Sequence, residues 1–534
     1  MTPTRTRRSL TMLLIAAVAA MVALPASAAY AEDYVPISGA GSSWSSNAID
    51  QWRRNVQQYG MRVNYASTGS SDGRNQFKAG TVDFASSEIP YGLKDGGVVD
   101  APPSRGYAYM PLVAGGTAFM YNLSSGGKSI TNLRLSGEVL TKIFTGVITS
   151  WDDAAIKADN PGLSLPKRKI VPVVRSDGSG STAQFTTWMA NQHGKIWDAY
   201  CAKAGRSTPC GVTSNYPTVS GKGFIAQPNS QGVSGYVAQK ANIGTITYVE
   251  YSYALKTGYP VAKILNKAGY YVEPTASNVA VGLLGAKINT DKGSSSYLTQ
   301  ILTGVFNNKD ARAYPLSSYS YLIVPTRIES NFTEEKGKTL GGFAYYFLCE
   351  GQQQAEVLGY SPLPINLVKA GLDQVKKIPG VEAKSINITK CNNPTFSKDG
   401  TNTLAKKAPQ PPACDKKGAA QCITGTGGSK TDTASSDDSS TDDGTDGATD
   451  DLGTDGGTGT DGGTGGASSA DGPVYCEADT GVCANVVALP VEVESESSWG
   501  MPQTFMVAAV LLLIGLVVLP PTLGQFIARR KSQS

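Results

Sequence analysis

One histidine, His193, occurs in 534 residues, and that scarcity excludes several kinds of chemistry. A histidine-based metal cluster needs more than one imidazole, and a Ser-His-Asp triad would have to place His193 beside an activated serine. His193 sits in Asn191-Gln192-His193-Gly194, which reads as the polar end of a helix on the surface. The chain has no clustered basic runs interleaved with aromatics, so nucleic acid is not an expected partner. No Cys lies near the start of the chain, so a lipoprotein is not expected. From 431 to 475 there are eleven Asp and no Lys or Arg, and no Asp, Glu, Lys, Arg or His lies between Glu496 and Arg529. The formal charge of +4 therefore hides a mildly basic body, which suits a small anion.

These gaps in charge mark the ends of the chain. Arg5, Arg7 and Arg8 precede an apolar run from Leu10 to Leu24 and then Pro25-Ala26-Ser27-Ala28, the pattern of a secretory signal over 1–28. The Asp/Gly/Ser/Thr tract cannot bury a core, so 391–475 is expected to be a flexible linker, Pro-rich first and acidic afterwards. A juxtamembrane segment, 476–504, leads to the apolar run 505–527, long enough to cross a bilayer of about 30 Å. Arg529, Arg530 and Lys531 in the tail 528–534 then place the C-terminus in the cytoplasm and the rest of the chain outside. The eight Cys all lie beyond the leader and are an even number in an oxidising compartment, so disulfides are expected. Their connectivity is not determined by spacing; neighbour pairing, Cys201 with Cys210, Cys349 with Cys391, Cys414 with Cys422 and Cys476 with Cys483, is the simplest.

Between about 34 and 388, short apolar strands alternate with helix-like stretches, which indicates an α/β fold. Three strands end in Gly and hydroxyl residues that open a helix. Tyr34 to Ile37 leads into Ser38-Gly39-Ala40-Gly41-Ser42-Ser43-Trp44; Arg62 to Ala66 leads into Ser67-Thr68-Gly69-Ser70-Ser71-Asp72-Gly73; Ile170 to Val174 leads into Arg175-Ser176-Asp177-Gly178-Ser179-Gly180-Ser181. A helix N-terminus presents unpaired N–H groups and partial positive charge, and the glycines allow close approach to the backbone. With the Arg175 fork and nearby hydroxyls, such turns suit a tetrahedral oxyanion. They lack the Gly-Lys-Ser/Thr ending of a nucleotide loop. Thr81 to Glu88 reads as a short strand carrying Glu88 to the same rim. Tyr109–Asn122 and Tyr314–Val324 read as candidate crossing strands.

Those motifs, with Trp151-Asp152-Asp153, Asn160-Pro161-Gly162-Leu163 and Gly244-Thr245-Ile246-Thr247-Tyr248-Val249-Glu250-Tyr251, resemble the phosphate-binding proteins of phosphate-specific ABC importers over about two thirds of the chain. The resemblance implies a two-lobed periplasmic-binding-protein fold of type II with two crossing hinge strands. Lobe I would comprise 34–115 and 311–390, and lobe II 116–310. It implies inorganic phosphate as ligand, importer permease subunits as partners, no cofactor and no catalysis. The implied ligand shell is Ser43, Trp44, Ser70, Glu88, Arg175, Asp177, Ser179, Gly180 and Ser181. Members of the family usually carry Thr at the positions of Ser43 and Ser181, Phe at Trp44 and Asp at Glu88. The smaller Ser43 and Ser181 are expected to make room for the longer acid. The resemblance does not extend to the membrane span. A surface phosphate sensor or adhesin without transport, or a phosphate-ester hydrolase, are the alternative readings.

Overall fold

The hydroxyl-ended strands of the sequence assemble into one eight-stranded sheet among the described residues. A computed structural model describes residues 34–429 apart from scattered loop positions, together with a hairpin of Tyr475–Cys476 and Cys483–Ala484. The strands are β1 (Ile37–Gly41), β2 (Val63–Ala66), β3 (Phe84–Ser87), β4 (Tyr107–Asn122), β5 (Val171–Arg175), β6 (Ile225–Gln227), β7 (Thr245–Glu250) and β8 (Ser317–Pro325), in the spatial order β6-β5-β7-β4-β8-β3-β1-β2. The site is framed by helices α1 (Ser46–Asn55), α2 (Ser70–Ala79), α3 (Gly180–Lys203), α4 (Asn229–Val237) and α5 (Tyr251–Thr257), and α6 (Glu334–Leu348) backs the first lobe.

The two halves of the sheet repeat one plan. β1 lies parallel between β2 and β3, and β5 lies parallel between β6 and β7. Each set is closed by an antiparallel strand, β8 beside β3 and β4 beside β7. β4 belongs to both halves: its residues from Tyr107 to Gly116 pair with β8, and those from Thr117 to Asn122 pair with β7. The second crossing is alongside, where Thr117 N–H donates to Leu316 O at 3.1 Å. At the change of partner the strand carries Gly115, where an added Cβ would stand 2.8 Å from the Trp44 ring. The first strand starts later than the sequence suggests. Gly39, Ala40 and Gly41 continue β1: all three pair with β3, and Gly39 and Ala40 pair with β2 as well.

Aromatic burial holds each lobe. Trp52 of α1 stacks on Phe347 of α6 at 5.5 Å and donates its Nε1–H to Gly351 O at 2.9 Å. In the other lobe Phe185 of α3 packs edge-on against Phe119 and Phe144, each at 5.1 Å. Burying such a side chain is worth about 1.5–3 kcal/mol, and this packing holds each helix against its lobe. Three expected disulfides are present, Cys201–Cys210, Cys349–Cys391 and Cys414–Cys422. In the hairpin Cys476 stands opposite Cys483 in the strand register.

The segment 393–429, expected as the start of the flexible linker, is instead packed on the body. Asn393 Nδ2 and Thr395 Oγ1 donate to Leu363 O of the first lobe, at 3.0 and 2.9 Å. Farther on, Thr426 Oγ1 donates to Thr131 O of the second at 2.9 Å. Arg134, 0% exposed, donates to the carbonyls of Cys414 and Ala419 at 2.7 and 2.8 Å. Lys263 Nζ pairs with Asp415 at 2.7 Å. Composition suggested a linker because the segment is Pro-rich and runs into the acidic tract, but its carbonyls are the acceptors a buried Arg134 requires. The expected leader, the acidic tract after 430 and the expected membrane span lie outside the described residues. Among those described, no helix is long and apolar enough to cross a membrane.

Candidate anion-binding site

Four helix N-termini meet where the lobes face each other, those of α1 and α2 from one lobe and α3 and α4 from the other. Cross-lobe hydrogen bonds hold them together. Ser71 N–H donates to Gly178 O at 3.0 Å, Ser230 N–H donates to Ser43 Oγ at 3.0 Å, and Gln184 Nε2 donates to Glu88 O at 2.8 Å. The first N–H groups of a helix have no intrahelical acceptor, so their convergence makes a donor-rich, positively polarised chamber.

Arg175 ends β5, and its guanidinium is fixed before any ligand arrives. Its Nε–H donates to Asp177 Oδ1 at 2.7 Å, and its Nη2 is paired with Asp177 Oδ2. Asp177 Oδ1 also accepts the N–H of Asn229 at 2.9 Å, tying the fork to the start of α4. Nη1 faces Ser230 Oγ at 3.5 Å. Asp177 therefore orients Arg175. Thr182 Oγ1 and Tyr248 OH are 2.8 Å apart, and Tyr248 OH accepts the Arg175 N–H at 3.2 Å. Burial pushes the Tyr248 phenol up to about 12, so it stays a neutral donor.

Glu88 comes directly after β3 and is 1% exposed. Ser42 Oγ and Ser320 Oγ donate to its Oε1 at 2.6 and 2.7 Å, and Ser70 Oγ donates to Oε2 at 2.8 Å. Burial raises the carboxyl above its ordinary value, and these three hydroxyls pull it part of the way back. Gly180 lies against it: an added Cβ would be 1.9 Å from Oε2.

The nine residues expected at the site do not all do the same thing. Ser70, Glu88, Arg175, Gly180 and Ser181 come together at the lobe interface. Ser181 Oγ is buried with no protein partner. Ser43 Oγ is 2.9 Å from Ser230 Oγ, and no hydrogen bond joins it to Glu88; the longer acid is housed against Gly180 and three serines. Ser179 caps α3, its Oγ accepting Thr182 N–H at 3.2 Å, while its own N–H donates to Ser214 O at 2.9 Å. Trp44 turns its ring into the core, edge-on to Tyr360 at 5.7 Å, and its N–H donates to Ser42 Oγ at 3.0 Å. Sequence reasoning missed Ser42, Ser320 and the start of α4. Pro228-Asn229-Ser230 is a helix-opening signal that could have revealed the last; nothing local marks Ser320, which the second crossing strand delivers. His193 lies inside α3 at a kink, packed edge-on to Trp188 at 5.0 Å, and burial lowers its pKa. It is about 20 Å along the helix from Gly180, too far to activate a serine there.

Two α/β lobes joined by paired crossing strands, with helix N-termini facing across the interface, define a solute-binding protein. Residues 25–350 match the family described as the PBP superfamily domain. Phosphate-binding protein PstS of Xylella fastidiosa is 35% identical over 338 residues, covering 63% of this chain and 83% of that protein. The protein of that name from Methanocaldococcus jannaschii is 32% identical over 354 residues, covering 63% and 85%. The chain thus belongs to the PBP superfamily and, within it, to the family of the PstS proteins. A crystal structure of a phosphate-binding protein from Stenotrophomonas maltophilia is similar at 19% identity, covering 69% of this chain and 99% of that one, with a TM-score of 0.46.

Proposed function

We propose that the chain binds inorganic phosphate outside the cytoplasm and delivers it to the permease of an ABC importer. The observation that carries this reading is the pairing of a donor-rich chamber with one buried carboxylate. A carboxylate offers about four acceptor sites. Three are taken by Ser42, Ser320 and Ser70, which leaves room for about one hydrogen bond from a ligand. An anion that keeps a proton at neutral pH satisfies that acceptor, and phosphate does. The N–H groups opening α2 and α3, the Arg175 fork and the Ser181 hydroxyl supply donors for its other oxygens.

In this reading Arg175, Ser70, Ser181, Gly180, Ser43 and Glu88 contact the ligand, and Asp177, Ser179 and Trp44 position the groups that do. The relatives named as phosphate-binding proteins support the assignment of the ligand. The apolar run 505–527, with Arg529, Arg530 and Lys531 beyond it, anchors the chain, and the acidic tract is the spacer between membrane and binding domain. Support for the anchor comes from the sequence pattern.

Calorimetric titration with phosphate tests the ligand. One site per chain is expected, and Arg175→Ala should lose about 3 kcal/mol or more, the cost of unpairing a buried charge. Parent-like binding by Arg175→Ala places the site elsewhere. For the anchor, a chain ending before 505 should be released from membranes that retain the full chain through a high-salt wash.

A further inference from the structure

Away from the anion, one carboxylate reaches across the lobe interface. Asp95 belongs to a lobe I hairpin, Lys94–Asp95 paired with Val98–Val99. Its Oδ2 accepts the backbone N–H of Ser214 at 2.7 Å and Ser214 Oγ–H at 2.5 Å, and its Oδ1 accepts Thr213 Oγ1–H at 2.5 Å. Arg206 Nη1 stands 3.4 Å from Oδ1, and Arg206 also donates to Thr213 Oγ1 and Asn215 O, each at 3.0 Å. Every one of these partners belongs to lobe II. Burial would raise the Asp95 carboxyl, but the hydrogen bonds from Ser214 and Thr213 outweigh it and hold the group below its ordinary value.

Ser214 connects this contact to the anion site. Its carbonyl accepts Ser179 N–H at 2.9 Å, and Ser71 Oγ donates to its Oγ at 3.3 Å. Ser179 caps α3 and Ser71 lies in the first turn of α2, the two helices whose N-termini face the ligand across the interface. Two cavities of about 550 Å³ each share Ile89, Leu93 and Val212 in their walls, and Asp95, Thr213 and Ser214 line one of them. A charged, multiply bonded carboxylate beside them is a strong contact between the lobes.

We propose that Asp95 is a positioning residue that latches the closed cleft to the 213–215 loop and sets the rate at which the bound anion leaves. This rests on the phosphate reading above. Breaking a contact that favours the closed cleft should speed release and leave capture almost untouched.

Labelled inorganic phosphate and the full chain test it by rapid mixing. Asp95→Asn should raise the dissociation rate about tenfold or more and change the association rate by less than about twofold, as expected for charge-assisted bonds lost from one state. Asp95→Glu should recover part of the slow release. Ser214→Ala and Asp95→Asn should be non-additive, the double variant releasing phosphate more slowly than the product of the two single effects. An unchanged dissociation rate in Asp95→Asn, or equal slowing of capture and release, overturns the proposal. Amide exchange at Ser214 is read in parallel without ligand. If the parent binds no phosphate, the functional reading fails on its own, and the latch stands if Ser214 N–H exchanges faster in Asp95→Asn and falls if it does not.

Discussion

Gly180 and Glu88 meet across the lobe interface so closely that a Cβ on the glycine would stand 1.9 Å from Glu88 Oε2. One opens α3, the other directly follows the strand β3, and they come from different lobes. Closure of the cleft therefore depends on the absence of a side chain at 180.

Gly180→Ala should bind phosphate at least about tenfold more weakly, since overpacking costs about 1–3 kcal/mol. The clash exists only when the lobes are together, so the thermal midpoint without phosphate should move little. Calorimetry and a ligand-free melt separate the two effects; parent-like affinity would mean that the glycine is not at a closing surface.

Glu88→Gln removes the charge that accepts three serine hydroxyls and gives the site an amide donor. Preference for phosphate over sulfate, which can reach about 10⁴ where a buried polar group is left unpaired by the wrong ligand, should narrow by orders of magnitude. Titration of both anions into parent and variant decides this. An unaltered ratio would remove Glu88 from selection.

Glu250 is 0% exposed and pairs with Thr117 where β4 changes lobes; its Oε2 accepts Ser252 N–H at 2.8 Å, and its Oε1 is buried with no protein partner. Burial raises its pKa well above the ordinary value. Between the ordinary glutamate value of about 4.3 and the raised one, the folded protein holds a proton that the unfolded chain has lost. Stability must then fall as pH rises through that window. Melts of Glu250→Gln across the window should show a flatter dependence than the parent, and an identical slope would mean the carboxyl is charged in the folded state.

Ending the chain near 394 should be costly, and ending it at 430 should not. The first cut strips Arg134 of two of its carbonyl acceptors and Lys263 of Asp415, which should lower stability by about 3 kcal/mol or more. The second removes the acidic tract and the C-terminal residues beyond it, and should leave both phosphate affinity and the thermal midpoint of the body unchanged. Equal stability of the two truncations would show that the packed segment contributes nothing.

The sequence by itself determined the α/β class, the turns opening at Gly69 and after Arg175, the crossing strands, and the placing of Arg175 at a strand end with Glu88 just after one. These are local features, since a strand, a turn and a helix start are written in a few consecutive residues. Neighbour pairing of cysteines succeeded at Cys201–Cys210 and Cys414–Cys422 because short loops bring their ends together. Only the tertiary structure decided what each site residue touches. Ser320 reaches Glu88 from 232 residues away, and no local pattern encodes such a meeting. It also showed Asp177 holding the Arg175 fork and the N–H of Asn229, and it turned Trp44 into the core. The segment 393–429 shows the limit most plainly. Its composition suits a linker, yet it is held in place because buried Arg134 needs carbonyl acceptors, and that need belongs to a residue some 280 positions earlier in the chain.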